Sequence, residues 1–256
     1  MPKVEEEPDP ERGIAHLRPP ARGLVARQYS TALERGADGE LVRAARVYTD
    51  CYAGSGGCVE PALTQIDMLW MTEEEWRLLV PADAKKGDAF RVPSILERRM
   101  INLAVPCANP IGDHGELTLT VTEASTAGVT LRLEGWSRQG VSFKESKAAY
   151  AKKAEGGTPG PSPIGQATRW LGFLTYDAKK KAVTGFDILA IGDAWGETFN
   201  RKYGAGARAE PRRWPAGYAF ELAGSCSADR ITAPVIVQNG LYNGGLTQKY
   251  WGRESR

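Results

Sequence analysis

The chain reads as mainly β: an antiparallel sheet, or a partly open barrel or sandwich, with one or two short helices inserted before its central strands. Two stretches carry this reading. Leu117-Thr-Leu-Thr-Val-Thr122 and Val129-Thr-Leu-Arg-Leu-Glu134, separated by Ala124-Ser-Thr-Ala-Gly128, alternate apolar and polar residues strictly. Side chains in a strand point to opposite faces with period two, so one face packs on a core and the other meets water. A second hairpin is expected from Gln166 to Tyr176 and from Ala182 to Ile191, across the charged break Asp177-Ala-Lys-Lys-Lys181. Here 29 glycines and 16 prolines supply the turns.

The remaining elements follow in chain order. Residues 1–22 are Pro-rich and charged and read as a disordered or loosely draped arm, which leaves 23–256 as one β-rich domain. Strands are expected at 24–31 and 41–50, with a turn near Gly36-Ala-Asp-Gly39, and again at 63–71. Thr72-Glu-Glu-Glu75 has the form of a capping box, in which a hydroxyl accepts a backbone N–H and the glutamate reaches back. Trp76-Arg-Leu-Leu-Val80 gives one apolar turn before Pro81. Ser94-Ile-Leu-Glu97 repeats the capping pattern, and Ile95, Leu96, Arg99, Met100 and Leu103 continue with helical spacing. The stretch 87–93 between them is a strand or extended link. Residues 144–163 read as a long loop, because Gly156-Gly-Thr-Pro-Gly-Pro-Ser-Pro163 fits neither a helix nor a central strand. A strand at 216–222 and a tail turning at Asn239-Gly240 complete the chain.

Composition narrows the function classes. Basic residues number 33 against 31 acidic, so net charge gives no reason to expect a dedicated nucleic-acid binder or a membrane surface as partner. No apolar run is long enough to span a bilayer as a helix. The four cysteines, Cys51, Cys58, Cys107 and Cys226, allow three pairings. The flexible loop Tyr52-Ala-Gly-Ser-Gly-Gly57 favours Cys51 with Cys58, leaving Cys107 for Cys226. Such bridges place a protein outside the cytosol.

From Thr64 to Leu222 the order of features resembles a group of exported, β-rich bacterial proteins with no assigned activity. The carrying residues are Leu69-Trp-Met-Thr-Glu-Glu-Glu-Trp76, Phe90-Arg-Val-Pro93, 117–134, Leu171-Gly-Phe-Leu-Thr-Tyr-Asp177 and Phe186-Asp-Ile-Leu-Ala-Ile-Gly-Asp-Ala-Trp-Gly196. The resemblance implies export and a β-rich fold, and no chemistry. The acidic start, Met1-Pro-Lys-Val-Glu-Glu-Glu7, lacks the apolar segment of a signal peptide and departs from that pattern.

Few motifs carry chemistry. Ser55 sits in Ala53-Gly-Ser-Gly-Gly57, a relaxed nucleophile-elbow pattern, but a triad needs a histidine and only His16 and His114 exist. Asp113-His114 in a turn-like run suits a base or a metal ligand, yet no second histidine lies near, and no metal or cofactor is implied. Asp187 and Asp193 share a strand face, with Glu197 beyond; paired carboxylates of this kind would serve a glycosidase-like hydrolase. The most suggestive segment is 195–214. It holds Arg201, Lys202, Arg208, Arg212 and Arg213, interleaved with aromatics that include Trp195 and Trp214. Cations beside aromatic faces suit an anionic polysaccharide or a phosphate-bearing ligand. Tyr242, Tyr250 and Trp251 form a second aromatic surface. The expected role is therefore non-catalytic binding in an extracytoplasmic setting, or assembly with another protein subunit; the paired-carboxylate hydrolase is the alternative.

Overall fold

The structure, a computed structural model, describes residues 19–49, 58–61, 65–103, 114–154, 164–196, 212–224 and 233–234. The strands are β1 (Leu24–Arg35), β2 (Leu41–Arg43), β3 (Arg46–Thr49), β4 (Cys58–Pro61), β5 (Gln65–Met71), β6 (Ala89–Arg91), β7 (His114–Ser125), β8 (Gly128–Gly140), β9 (Gly165–Asp177), β10 (Ala182–Trp195) and β11 (Trp214–Leu222). Three helices are described: α1 (Glu73–Arg77), α2 (Ser94–Leu103) and α3 (Phe143–Ala154).

Nine strands form one antiparallel sheet that does not close. Its order is β6–β7–β8–β9–β10–β11–β1, with β5 along the first part of β1 and β2 along its end. The strands β6 to β11 are thus laid down in sequence order, and β1 returns to pair with β11 through Ala26↔Leu222 to Ala32↔Ala216. The strands β3 and β4 make a separate two-stranded pair.

Alternation sorts the side chains as the sequence requires. Leu119 pairs with Leu133 and Val121 with Leu131, and all four are buried together with Leu117. The hairpin turn is tighter than expected, since β7 runs on to Ser125 and β8 starts at Gly128. A register shift between Val121 and Glu123 accommodates the extra residue. The inner face continues through Trp170, Leu174, Phe186, Ile188, Tyr218 and Phe220. Against it pack Trp76 and Leu79 of the α1 turn and Leu96, Met100 and Ile101 of α2. One end of this face is polar but bonded internally. The Ser137 and Thr168 hydroxyls lie 2.7 Å apart, the Trp170 indole N–H donates to Ser137, and Tyr218 donates its hydroxyl to Gln166.

The two capping boxes expected before α1 and α2 turn out differently. Thr72 and Glu75 make theirs in full. Glu97 does not reach back to Ser94: its carboxylate accepts the buried Leu117 N–H at 2.9 Å and pairs with Arg91. The β-ladder of β6 on β7 has run out at that point, and Glu97 supplies the acceptor that a strand would have offered.

The loop expected over 144–163 is corrected in its first half, which is helix α3. Ser142 caps it: the Glu145 N–H donates to the Ser142 hydroxyl, and the Ser142 N–H donates to the Glu145 carboxylate. These bonds hold the Glu145 carboxyl below its usual range, with Arg138 adding a smaller effect. Ser142-Phe-Lys-Glu145 is a capping box in the sequence, masked by the Gly/Pro-rich run that follows it. The strand expected at 41–50 is likewise divided, into β2 and β3. The expected arm at 1–18 and the tail turn at Asn239-Gly240 lie outside the described residues, as do Cys51, Cys107 and Cys226. No disulfide is present among the described residues.

The register makes a direct prediction. Leu131 is fully buried on the inner face, so Leu131→Ala should cost about 2–5 kcal/mol in urea unfolding. Thr120, opposite Arg132 on the other face, should cost less than half of that on replacement by alanine. Equal losses would contradict the assignment of faces.

Candidate functional site

The deepest concavity is a cleft of about 480 Å³ where α2 meets the outer edge of β7 and β8. Arg91, Ser94, Glu97 and Arg98 line one wall, and His114, Glu116, Trp136 and Arg138 the other. Local structure puts them there. His114 and Glu116 lie on the outer parity of β7, opposite Arg138 and Trp136 on β8. Arg98 follows Glu97 on α2, one residue away from the side that grips the sheet.

Within the cleft the charges divide into two groups. Arg91 donates to the Gly115 carbonyl at 2.7 Å and approaches Glu97 at 3.4 Å. Glu97 is itself held by Leu117, so this pair is structural. Arg98, His114 and Arg138 make no hydrogen bond or ion pair among the described residues. Beside them the Trp136 ring is 36% exposed. Glu116 is the one carboxylate of the lining without such a role. The arrangement therefore offers two uncommitted guanidinium groups, an imidazole and an aromatic face to whatever enters. Guanidinium groups match carboxylate, sulfate and phosphate oxygens with paired N–H donors.

The same outer-face row carries part of the segment singled out in the sequence. His114 pairs with Arg138, Arg138 with Ala167, and Ala167 with Asp193. Strands stand about 4.8 Å apart, so Asp193 lies about 10 Å from Arg138 across the sheet. At that far end the Arg213 guanidinium sits 4.8 Å from the Phe143 ring centre and 5.9 Å from that of Trp195, and 3.7 Å from Asp193. Trp195 is buried, and its indole N–H donates to the Val141 carbonyl. Arg213 and Trp195 thus clasp the start of α3 to the end of β10. Arg212 is exposed and Trp214 half-buried on the entry to β11. Arg201, Lys202 and Arg208 lie outside the described residues, as do Ser55, Glu197, Tyr242, Tyr250 and Trp251.

The carboxylates considered for hydrolysis are not brought together. Asp187 and Asp193 do share the outer face of β10, but six residues of strand separate them by about 20 Å. Glycosidase pairs need roughly 5–9.5 Å. Among the described residues no cluster of three or more His, Cys, Asp or Glu side chains is placed to hold a metal ion. Of the cleft residues the sequence had pointed only to His114. Arg91, Arg98, Trp136 and Arg138 come from a short edge strand, a helix and a hairpin arm, and no linear motif joins them.

Two substitutions probe these roles. Glu97→Ala leaves the buried Leu117 N–H without an acceptor and should cost about 1–3 kcal/mol in chemical denaturation; an unchanged midpoint would show that the carboxylate is not needed there. Arg213→Ser should cost about 0.5–1 kcal/mol, the worth of a cation over an aromatic face. A stability equal to the parent's would mean that α3 docks without it. Comparison with protein-family models, curated proteins and solved structures finds no match for this chain, so its functional reading rests on the geometry above.

Proposed function

We propose that this is a non-catalytic binding protein that takes an anionic ligand in the cleft between α2 and the β7–β8 edge. The observation that carries the reading is the convergence of Arg98, Arg138 and His114, none of them committed to a partner among the described residues, beside the half-open face of Trp136. Such a lining favours an acidic polysaccharide: guanidinium groups take the sulfate or carboxylate, and an indole face takes the C–H face of a sugar ring. The exposed Arg212, on the far side of Asp193, extends the positive surface towards the 201–213 segment, whose basic residues would lengthen the track. An extracytoplasmic setting fits both this ligand class and the resemblance to exported proteins, and bridges at Cys51–Cys58 and Cys107–Cys226 would belong to the same setting.

The test is retention on a heparin-type polyanion column. Replacing Arg98 and Arg138 together by serine should lower the salt needed for elution clearly, while the melting temperature stays close to the parent's, since exposed side chains add little stability. The parent's own retention should fall steeply with salt, because exposed charges are screened beyond about 8 Å at physiological ionic strength. Unchanged retention in the double variant would remove the cleft as the binding site.

A further inference from the structure

We infer that the other end of the outer face is a docking surface for a second copy of this chain. Leu171, Phe173 and Leu189 stand on it, each 46–47% exposed. They are contiguous: Leu171 pairs directly with Leu189, and Phe173 lies two residues along β9 on the same face. The row through Leu171 continues across Leu189, Ala219, Tyr29 and Ile66, with Ile66 59% exposed. Scattered single apolar residues on a surface need no explanation, but a contiguous stripe on a sheet face marks an interaction site.

The charges beside the stripe choose the partner and its orientation. Phe173 is flanked on its row by Arg132 of β8 and by Asp187 of β10. The row therefore reads positive, aromatic, negative. A two-fold axis running along β9 lays the row on its own copy so that Phe173 meets Phe173 and Leu171 meets Leu171. Arg132 then faces Asp187 of the second copy, twice over. An axis perpendicular to the strands would instead set Arg132 against Arg132 and Asp187 against Asp187. Packed sheets stand about 10 Å apart with strands aligned to within about 30°, a gap that an arginine and an aspartate bridge together. Both side chains are exposed, and Arg132 holds only the neighbouring Glu134, at 2.7 Å. Asp187 has no ion-pair partner among the described residues. The apolar stripe would supply the attraction and the charge pairs the register, as at other interfaces. Arg132 lies six residues from Arg138 on β8, about 20 Å along the strand, so this surface is separate from the cleft.

Sedimentation of the full chain over a range of concentrations tests the inference. The parent should show a reversible monomer–dimer equilibrium. Arg132→Asp and Asp187→Arg should each be monomeric, because each sets like charges face to face. Mixing the two single variants should restore a dimer, and so should combining both changes in one chain, since either arrangement pairs opposite charges again. A parent that stays monomeric at every concentration would overturn the proposal, and would mean that the stripe is free or covered by the chain's own tail. Dimers that persist in both single variants would place the interface elsewhere. Circular dichroism of each variant confirms folding, and none of these substitutions touches the cleft, so heparin retention reports on the binding site independently.

Discussion

A buried guanidinium–carboxylate pair, Arg99 with Glu75, ties together the two helices that cover the inner face of the sheet. Arg99 donates to both carboxylate oxygens, at 2.6 and 2.8 Å, and to the Trp70 carbonyl of β5. Its side chain is 3% exposed. The same carboxylate completes the capping box at Thr72. One side chain thus starts α1, anchors α2 and ties both to the edge of the sheet. Removing either partner would leave a buried charge unpaired, a change that typically costs about 3–5 kcal/mol. The apolar cover of Trp76, Leu79, Leu96 and Met100 depends on that docking.

From this constraint the two faces acquire different roles. With the helices fixed on one side, Glu97 is delivered to the end of the β6–β7 ladder, and the next residue, Arg98, is turned away from the core. The structural carboxylate and the candidate ligand-binding arginine are neighbours in sequence because a helix advances about 100° per residue. The cleft is therefore a by-product of how α2 seals the edge of β7. The outer face is a plain antiparallel surface by comparison, charged at one end and apolar at the other.

Much of the fold was legible because period-two alternation is a strong local signal. Leu117, Leu119 and Val121 could bury only on one side, and their partners Leu131 and Leu133 followed from the short turn. The order β7 to β11 needed no long-range information. The helix α3 was hidden by reading 144–163 as one unit, although Ser142 and Glu145 carried a usable start signal. The different fates of Glu75 and Glu97 were not legible at all. Both sit three residues after a hydroxyl, and only the nearby Leu117 N–H diverts the second. The cleft was illegible for a related reason: its arginines and tryptophan are spread over three elements, while the eye is drawn to the dense basic run at 201–213. Where the structure describes the end of that segment, Arg213 is engaged with Phe143, Trp195 and Asp193.

The most direct measurement is a titration of isotope-labelled protein with a sulfated oligosaccharide, followed through the Trp136 indole N–H and His114 ring signals. Shifts that saturate at these two groups and at the Arg98 and Arg138 side chains, while the Trp170 indole inside the sheet stays still, are the predicted result. Signals at Trp136 and His114 that remain unmoved at saturating oligosaccharide would contradict the assignment of the cleft as the anion-binding site.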